Sequence, residues 1–118
     1  MEIAIAAKSR EIRSALKLLI SQSGNKDKIT EPVDFIDLLK KIKNQKIRLV
    51  IIDWEFFNGD TVDLVTLFKK AYKDINFIVL GLRKKDQKAA QDANIDAFYL
   101  KSGNLKELVN VITKFRNK

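Results

Sequence analysis

Short apolar runs alternate along this chain with longer stretches whose apolar residues recur at helical spacing. Ile3 to Ala7 reads as a strand. Ser9 follows as a helix cap, because its hydroxyl can accept an orphan backbone N–H, and Ile12, Ala15, Leu16 and Leu19 mark one face of the helix after it. Ser23-Gly24-Asn25 is the stop signal for that helix. Lys28 to Thr30 is a short strand ended by Pro32, and a second helix is predicted from Asp34 to Asn44 with Phe35, Leu38, Leu39 and Ile42 on one face. Leu49-Val50-Ile51-Ile52 is β-branched-rich and apolar without alternation, as expected of a parallel strand buried on both faces, and it ends in Asp53. Asn58-Gly59-Asp60 marks a turn. A third helix carries Val62, Val65, Leu67, Phe68 and Tyr72, and Phe77 to Leu80 is a second continuous apolar strand, closed by Gly81. The stretch from Lys85 to Ala93 reads as a helix with only Ala89, Ala90 and Ala93 to bury. Ala97 to Leu100 is the fifth strand, followed by Lys101 and a loop at Ser102-Gly103-Asn104, and the last helix shows Leu105, Leu108, Val109, Ile112 and Phe115.

A βα unit repeated five times implies parallel strands joined by right-handed crossovers. Five units are too few for a closed (β/α)₈ barrel, so an open, doubly wound α/β sheet in a single domain, residues 1–118, is expected. In such a sheet the ligand crevice lies beyond the carboxyl ends of the strands. The topology puts Ala7 and Lys8, Asp53, Gly81 and Lys101 there, with Asp53 facing Lys101 across the crevice.

Composition narrows the chemistry. Of 118 residues, 46% are hydrophobic and 32% charged, the balance of a globular chain. There is no cysteine, which excludes disulfides and thiolate catalysis, and no histidine, which removes the usual general base and the commonest metal ligand. No Gly-rich phosphate loop follows the first strand, and no nucleophile is paired with a base, so an enzyme is not expected. The apolar N-terminus, Met1 to Ala7, is too short for a signal peptide or a membrane span, and the expected location is the cytoplasm without membrane contact. The net charge of +8 favours encounters with acidic proteins or nucleic acid, against the plainer reading of a lysine-rich solvated surface.

Three stretches resemble the receiver domain of two-component response regulators, the CheY-like family, and the resemblance covers essentially the whole chain. Leu49 to Asp53 is similar to the strand that ends in the phosphoacceptor aspartate, Ala97 to Lys101 to the strand that ends in the family's lysine, and Glu11-Ile12-Arg13 to the start of its first helix. The resemblance implies a flavodoxin-like strand order 2-1-3-4-5. By position it makes Asp53 the phosphoacceptor, Lys101 the lysine that contacts the phosphoryl group, Asp60 the acidic residue of the following loop, and Phe98 the switch aromatic.

The departures from that family bear on function. Ala7 and Lys8 stand where the family has an acidic pair for Mg²⁺, Gly81 where it has Ser or Thr, Ser102 where it usually has Pro, and Phe57-Asn58 where Pro-Gly is usual. Phosphoryl transfer to a carboxylate relies on a cation to neutralise developing charge. Only Asp53 remains, with Glu55 as a possible helper, so no cofactor is expected, and Mg²⁺ enters only if Asp53 still accepts a phosphoryl group. A salt bridge from Asp53 to Lys8 or Lys101 is expected in place of the metal. Without a hydroxyl at Gly81, switching through Phe98 is not expected, and Phe98 reads as a core or half-exposed aromatic. Arg83, Lys84, Lys85 and Lys88, with Tyr99 and Lys106 nearby, form a candidate partner face for an acidic protein; the bland reading of that run is solvation. Trp54, Phe56 and Phe57 read either as an interface anchor or as a plug over the vacated acidic pocket. A pseudo-receiver that binds a protein partner, as a monomer or weak dimer, leads. A phosphoaccepting regulator using Asp53 follows, and a basic nucleic-acid-binding α/β module comes third.

Overall fold

A computed structural model describes residues 1–22, 26–56, 61–92 and 95–116. The helix stop at Ser23-Gly24-Asn25, the positions Phe57, Asn58, Gly59 and Asp60, and Ala93 lie outside the described residues, as do the side chains of Val62 and Leu105. The elements run β1 Glu2–Ala6, α1 Arg10–Ser21, β2 Lys28–Thr30, α2 Phe35–Asn44, β3 Ile47–Asp53, α3 Thr61–Ala71, β4 Asn76–Gly81, α4 Lys84–Asp92, β5 Ala97–Leu100 and α5 Leu105–Arg116. All strand pairs are parallel, in the order β2-β1-β3-β4-β5. The expected α/β architecture and strand order are therefore present.

Central β3 explains its own composition. Val50 and Ile52 enter one core with Leu38 and Ile42 of α2 and Val65 and Phe68 of α3. Leu49 and Ile51 enter the other with Leu16 and Ile20 of α1 and Leu108 and Ile112 of α5. Alternate side chains thus go to opposite faces, both covered, and no polar position is tolerated between them. β3 starts two residues earlier than its apolar run, because the β1–β3 register jumps from Glu2↔Ile47 to Ile3↔Leu49 and leaves exposed Arg48 at the irregularity.

Local signals fix the helix starts. The Ser9 hydroxyl accepts from the Ile12 amide at 3.3 Å. Asp34 accepts from the Asp37 amide at 2.8 Å, and Asp37 reaches back to the Val33 amide at 2.9 Å, a reciprocal cap of α2. That backbone N–H, with Lys41 adding to it, holds the Asp37 carboxyl below the usual carboxylate range. Away from the caps, three side chains depart from the predicted faces. Ala15 and Ala89 are exposed, and so is Leu67, at 61%. In α1 the inward row is Leu16 and Ile20; in α3 it is Val65 and Phe68; in α4 it is Asp86 and Ala90. Among the described residues no helix is long and apolar enough to cross a membrane.

Leu38→Ala is expected to lower the stability to urea by about 2–5 kcal/mol, because Leu38 is fully buried. Leu67→Ala, at an exposed site, is expected to stay within about 0.5 kcal/mol of the parent.

Candidate functional site

Asp53 is the last residue of β3 and is only 4% exposed. The Lys101 ammonium lies 2.7 Å from Asp53 Oδ1, and the Glu55 amide donates to the same oxygen at 3.2 Å. Two backbone bonds set this meeting. The Trp54 amide donates to the Leu80 carbonyl at 2.7 Å and the Lys101 amide to the Gly81 carbonyl at 2.9 Å, so the parallel ladder continues one step past the strand ends. Of the two lysines expected near Asp53, Lys101 makes the bridge, while Lys8 is exposed.

The end of β1 is closed differently. Ala7 is buried, and its carbonyl accepts from the Arg13 guanidinium at 2.7 Å; the Lys8 carbonyl accepts from the same Nη1 at 2.9 Å. Because Ser9 caps α1, Arg13 falls one turn into the helix, and its side chain leans back over the β1–α1 loop. Glu31, just after β2, steadies it at 3.4 Å and also takes Lys17 at 3.1 Å. Ala7, Lys8, Arg13 and Glu31 line a depression of about 310 Å³ with Pro32 and Val33. Arg13 was visible in the sequence only as part of the α1 start; nothing in the pattern marks its reach to two carbonyls.

At the end of β4 the absence of a side chain has a visible use. A Cβ on Gly81 would clash with the tip of the Phe98 ring, 2.7 Å from Cε2 and closer still to Cζ. Phe98 is half-buried and stands edge-on to Trp54, with ring centroids 6.3 Å apart and planes at 78°. Phe98 thus occupies the space that a hydroxyl-bearing side chain at position 81 needs. Of the remaining aromatics, Phe56 sinks into the core on the α2–α3 side. Glu55 is exposed and lines, with Trp54, Leu82, Arg83, Asp86 and Lys101, a second pocket of about 300 Å³ beside the Asp53–Lys101 pair.

This donor set does not fit Mg²⁺. The ion wants about six oxygen ligands in near-octahedral array. Among the described residues the crevice offers the Asp53 carboxylate, already held by an ammonium, and two carbonyls already held by a guanidinium, while nearby Asp86 is engaged by Arg83 and Glu55 is exposed. No group of three or more acidic residues there could hold a metal ion.

Arg83, Lys84, Lys85, Lys88 and Lys106 are exposed. Tyr99 is a correction. It is 7% exposed and its hydroxyl donates to the Gly103 carbonyl at 2.7 Å, so it supports the β5–α5 loop from within and presents nothing to a partner. Burial pushes its phenol up, and the Glu107 carboxylate adds to the shift. Asp86 was not singled out from sequence, yet it is 6% exposed, with Arg83 at 3.7 Å. Its place one turn before Ala90 on the inward row is the signal that could have found it.

Solved structures were compared with this geometry. The chain superposes on the signal receiver domain of a DNA-binding response regulator from Colwellia psychrerythraea with a TM-score of 0.88 and 16% identity, covering 100% of this chain and 99% of that one. A response regulator from Thermotoga maritima gives 0.84 at 18% identity over 99% and 98%. A DNA-binding response regulator of the LuxR family from Staphylococcus aureus gives 0.80 at 24% identity over 97% and 97%. The fold is that of response-regulator receiver domains. No family model matches the sequence, and no curated protein matches it.

Two outcomes test this geometry. Lys101→Met strands a buried carboxylate and is expected to cost on the order of 3 kcal/mol in chemical denaturation, most of it recovered by adding Asp53→Asn. Gly81→Ala is expected to cost about 1–3 kcal/mol and to shift the Trp54 fluorescence as Phe98 is displaced, and in a Phe98→Ala background that cost should nearly vanish.

Proposed function

We propose that this chain is a pseudo-receiver: a signalling module on the receiver fold that acts by binding a protein partner, without Mg²⁺-dependent phosphorylation and without enzymatic activity. The observation that carries the reading is that positive side chains of this chain already engage the acceptors of the crevice. Lys101 holds Asp53 at 2.7 Å, and Arg13 holds both carbonyls at the end of β1. A phosphoryl donor approaching Asp53 meets a carboxylate already engaged, and no carboxylate pair stands at the end of β1 to bring a divalent cation. Phe98, seated over Gly81, supports the reading further, since the hydroxyl that follows the phosphoryl group in receivers is missing and its space is filled.

The partner in this reading is a protein with an acidic surface, and Arg83, Lys84, Lys85 and Lys88 form the face that meets it. The compartment in this reading is the cytoplasm, consistent with a chain that has no cysteine. The second reading, a phosphoacceptor at Asp53, draws on the Asp53–Lys101 pair itself, which keeps both groups in register.

Amide NMR with beryllofluoride and Mg²⁺ separates the two. The expected result is no shift around Asp53, Gly81 and Lys101, and no mass gain with acetyl phosphate. Saturable shifts centred on Asp53, abolished by Asp53→Asn, establish the phosphoacceptor instead.

A further inference from the structure

The apolar surface of the molecule is uneven. Among its most exposed large hydrophobic side chains are Ile36 on α2, at 55%, and Leu67 on α3, at 61%. Leu67 borders a groove of about 230 Å³ between these helices, floored by Phe35, Leu39, Leu64, Phe68 and Tyr72. Ile36 lies one turn before Leu39 on α2, and Leu67 itself lines the groove.

The floor is rigid. Phe68 stacks on core Phe77 with centroids 6.1 Å apart, and it meets Phe35 at 5.6 Å and Tyr72 at 6.4 Å. This ladder of rings runs from the sheet to the surface, so the groove exists before anything binds it. Preorganised aromatic anchors are what helix-in-groove recognition uses.

The rim is basic at one end. Lys43 lines the groove, and Lys70 neighbours Ala71, which lines it too. Lys46 follows α2, and Lys73 follows α3. All four lysines are exposed, and none has an ion pair among the described residues. Nearby Lys41 and Lys69 differ, since Asp37 and Asp96 neutralise them at 3.4 and 3.1 Å. Asp74 is the acidic residue next to Lys73, and it leaves an excess of positive charge.

A second copy of this chain is a poor occupant. Two-fold pairing sets like patches against each other, and each chain carries +8. An apolar floor with a positive rim asks for apolar residues flanked by negative ones. We propose that the α2–α3 groove docks an acidic amphipathic helix of a partner protein. Apolar residues of that helix at i, i+3 or i+4, and i+7 enter between Leu39 and Leu67, and its carboxylates meet Lys43 and Lys70. The site is separate from the α4 basic face, and it stands whether or not Asp53 accepts a phosphoryl group.

The test uses the full chain and two synthetic helical peptides of roughly 15 residues. They share one leucine face and differ in carrying Glu or Lys on its flanks. In amide NMR titrations the Glu peptide is expected to give saturable shifts confined to α2 and α3, weakening several-fold as salt rises from about 0.05 to 0.5 M. Leu67→Asp, at an exposed site that leaves the fold intact, is expected to weaken binding at least tenfold. Lys43→Glu with Lys70→Glu is expected to reverse the preference to the Lys peptide. The proposal fails if neither peptide gives saturable shifts, if both bind the parent equally, or if the shifts map to α4 and α5. It also fails if sedimentation shows a dimer that Leu67→Asp dissociates, which makes the groove a self-association surface.

Discussion

A carboxylate at the end of a strand that is dry on both faces has to be met by a cation, and the top of this sheet is arranged around that demand. β3 sends Val50 and Ile52 into one core and Leu49 and Ile51 into the other, so water reaches neither side. Asp53 ends that strand at 4% exposure. Its answer comes from two strands away, because β4 carries the register from Asp53↔Leu80 to Gly81↔Leu100 and delivers Lys101 next. Desolvation of two charges offsets most of their attraction, so such a pair adds little net stability. Its effect is to make either partner alone costly, which holds the ends of β3 and β5 in one alignment.

The end of β1 obeys the same rule in a different way. Two backbone carbonyls close that strand end, and Arg13 supplies a bond to each from one nitrogen. A receiver that binds Mg²⁺ brings negative charge to this corner. Here a guanidinium stands there, with Glu31 as counter-charge on the far side.

Much of this was legible from residues alone. Uninterrupted apolar strands and 3.6-residue helix faces fixed the order of elements, and the strand ends named Asp53 and Lys101 as neighbours. Even the three-residue β2 was marked, by Pro32 just beyond it. What escaped was reach. Arg13 crosses a loop to carbonyls six and five residues back, Tyr99 turns inward to the Gly103 carbonyl, and Asp86 buries itself within a basic run. Long and amphipathic side chains have bodies that pack in one place and polar ends that act in another. Periodicity locates their Cα atoms and not their tips. Leu67 and Ala15 were misplaced for a related reason: a helix stripe has edges, and apolar residues at the edge face solvent.

The ring of Phe98 seated over Gly81 also constrains how this chain can change. The two positions behave as interlocked parts, since atoms of one fill the volume the other would need. A single substitution that adds a side chain at 81 meets an occupied site and is penalised before any hydroxyl can be useful. Shrinking or turning out Phe98 first removes its edge contact with Trp54 and is penalised as well. Each of the two changes is therefore uphill alone, and the two positions are coupled. Close packing thus ties position 81 to position 98, so that a change at one is felt at the other.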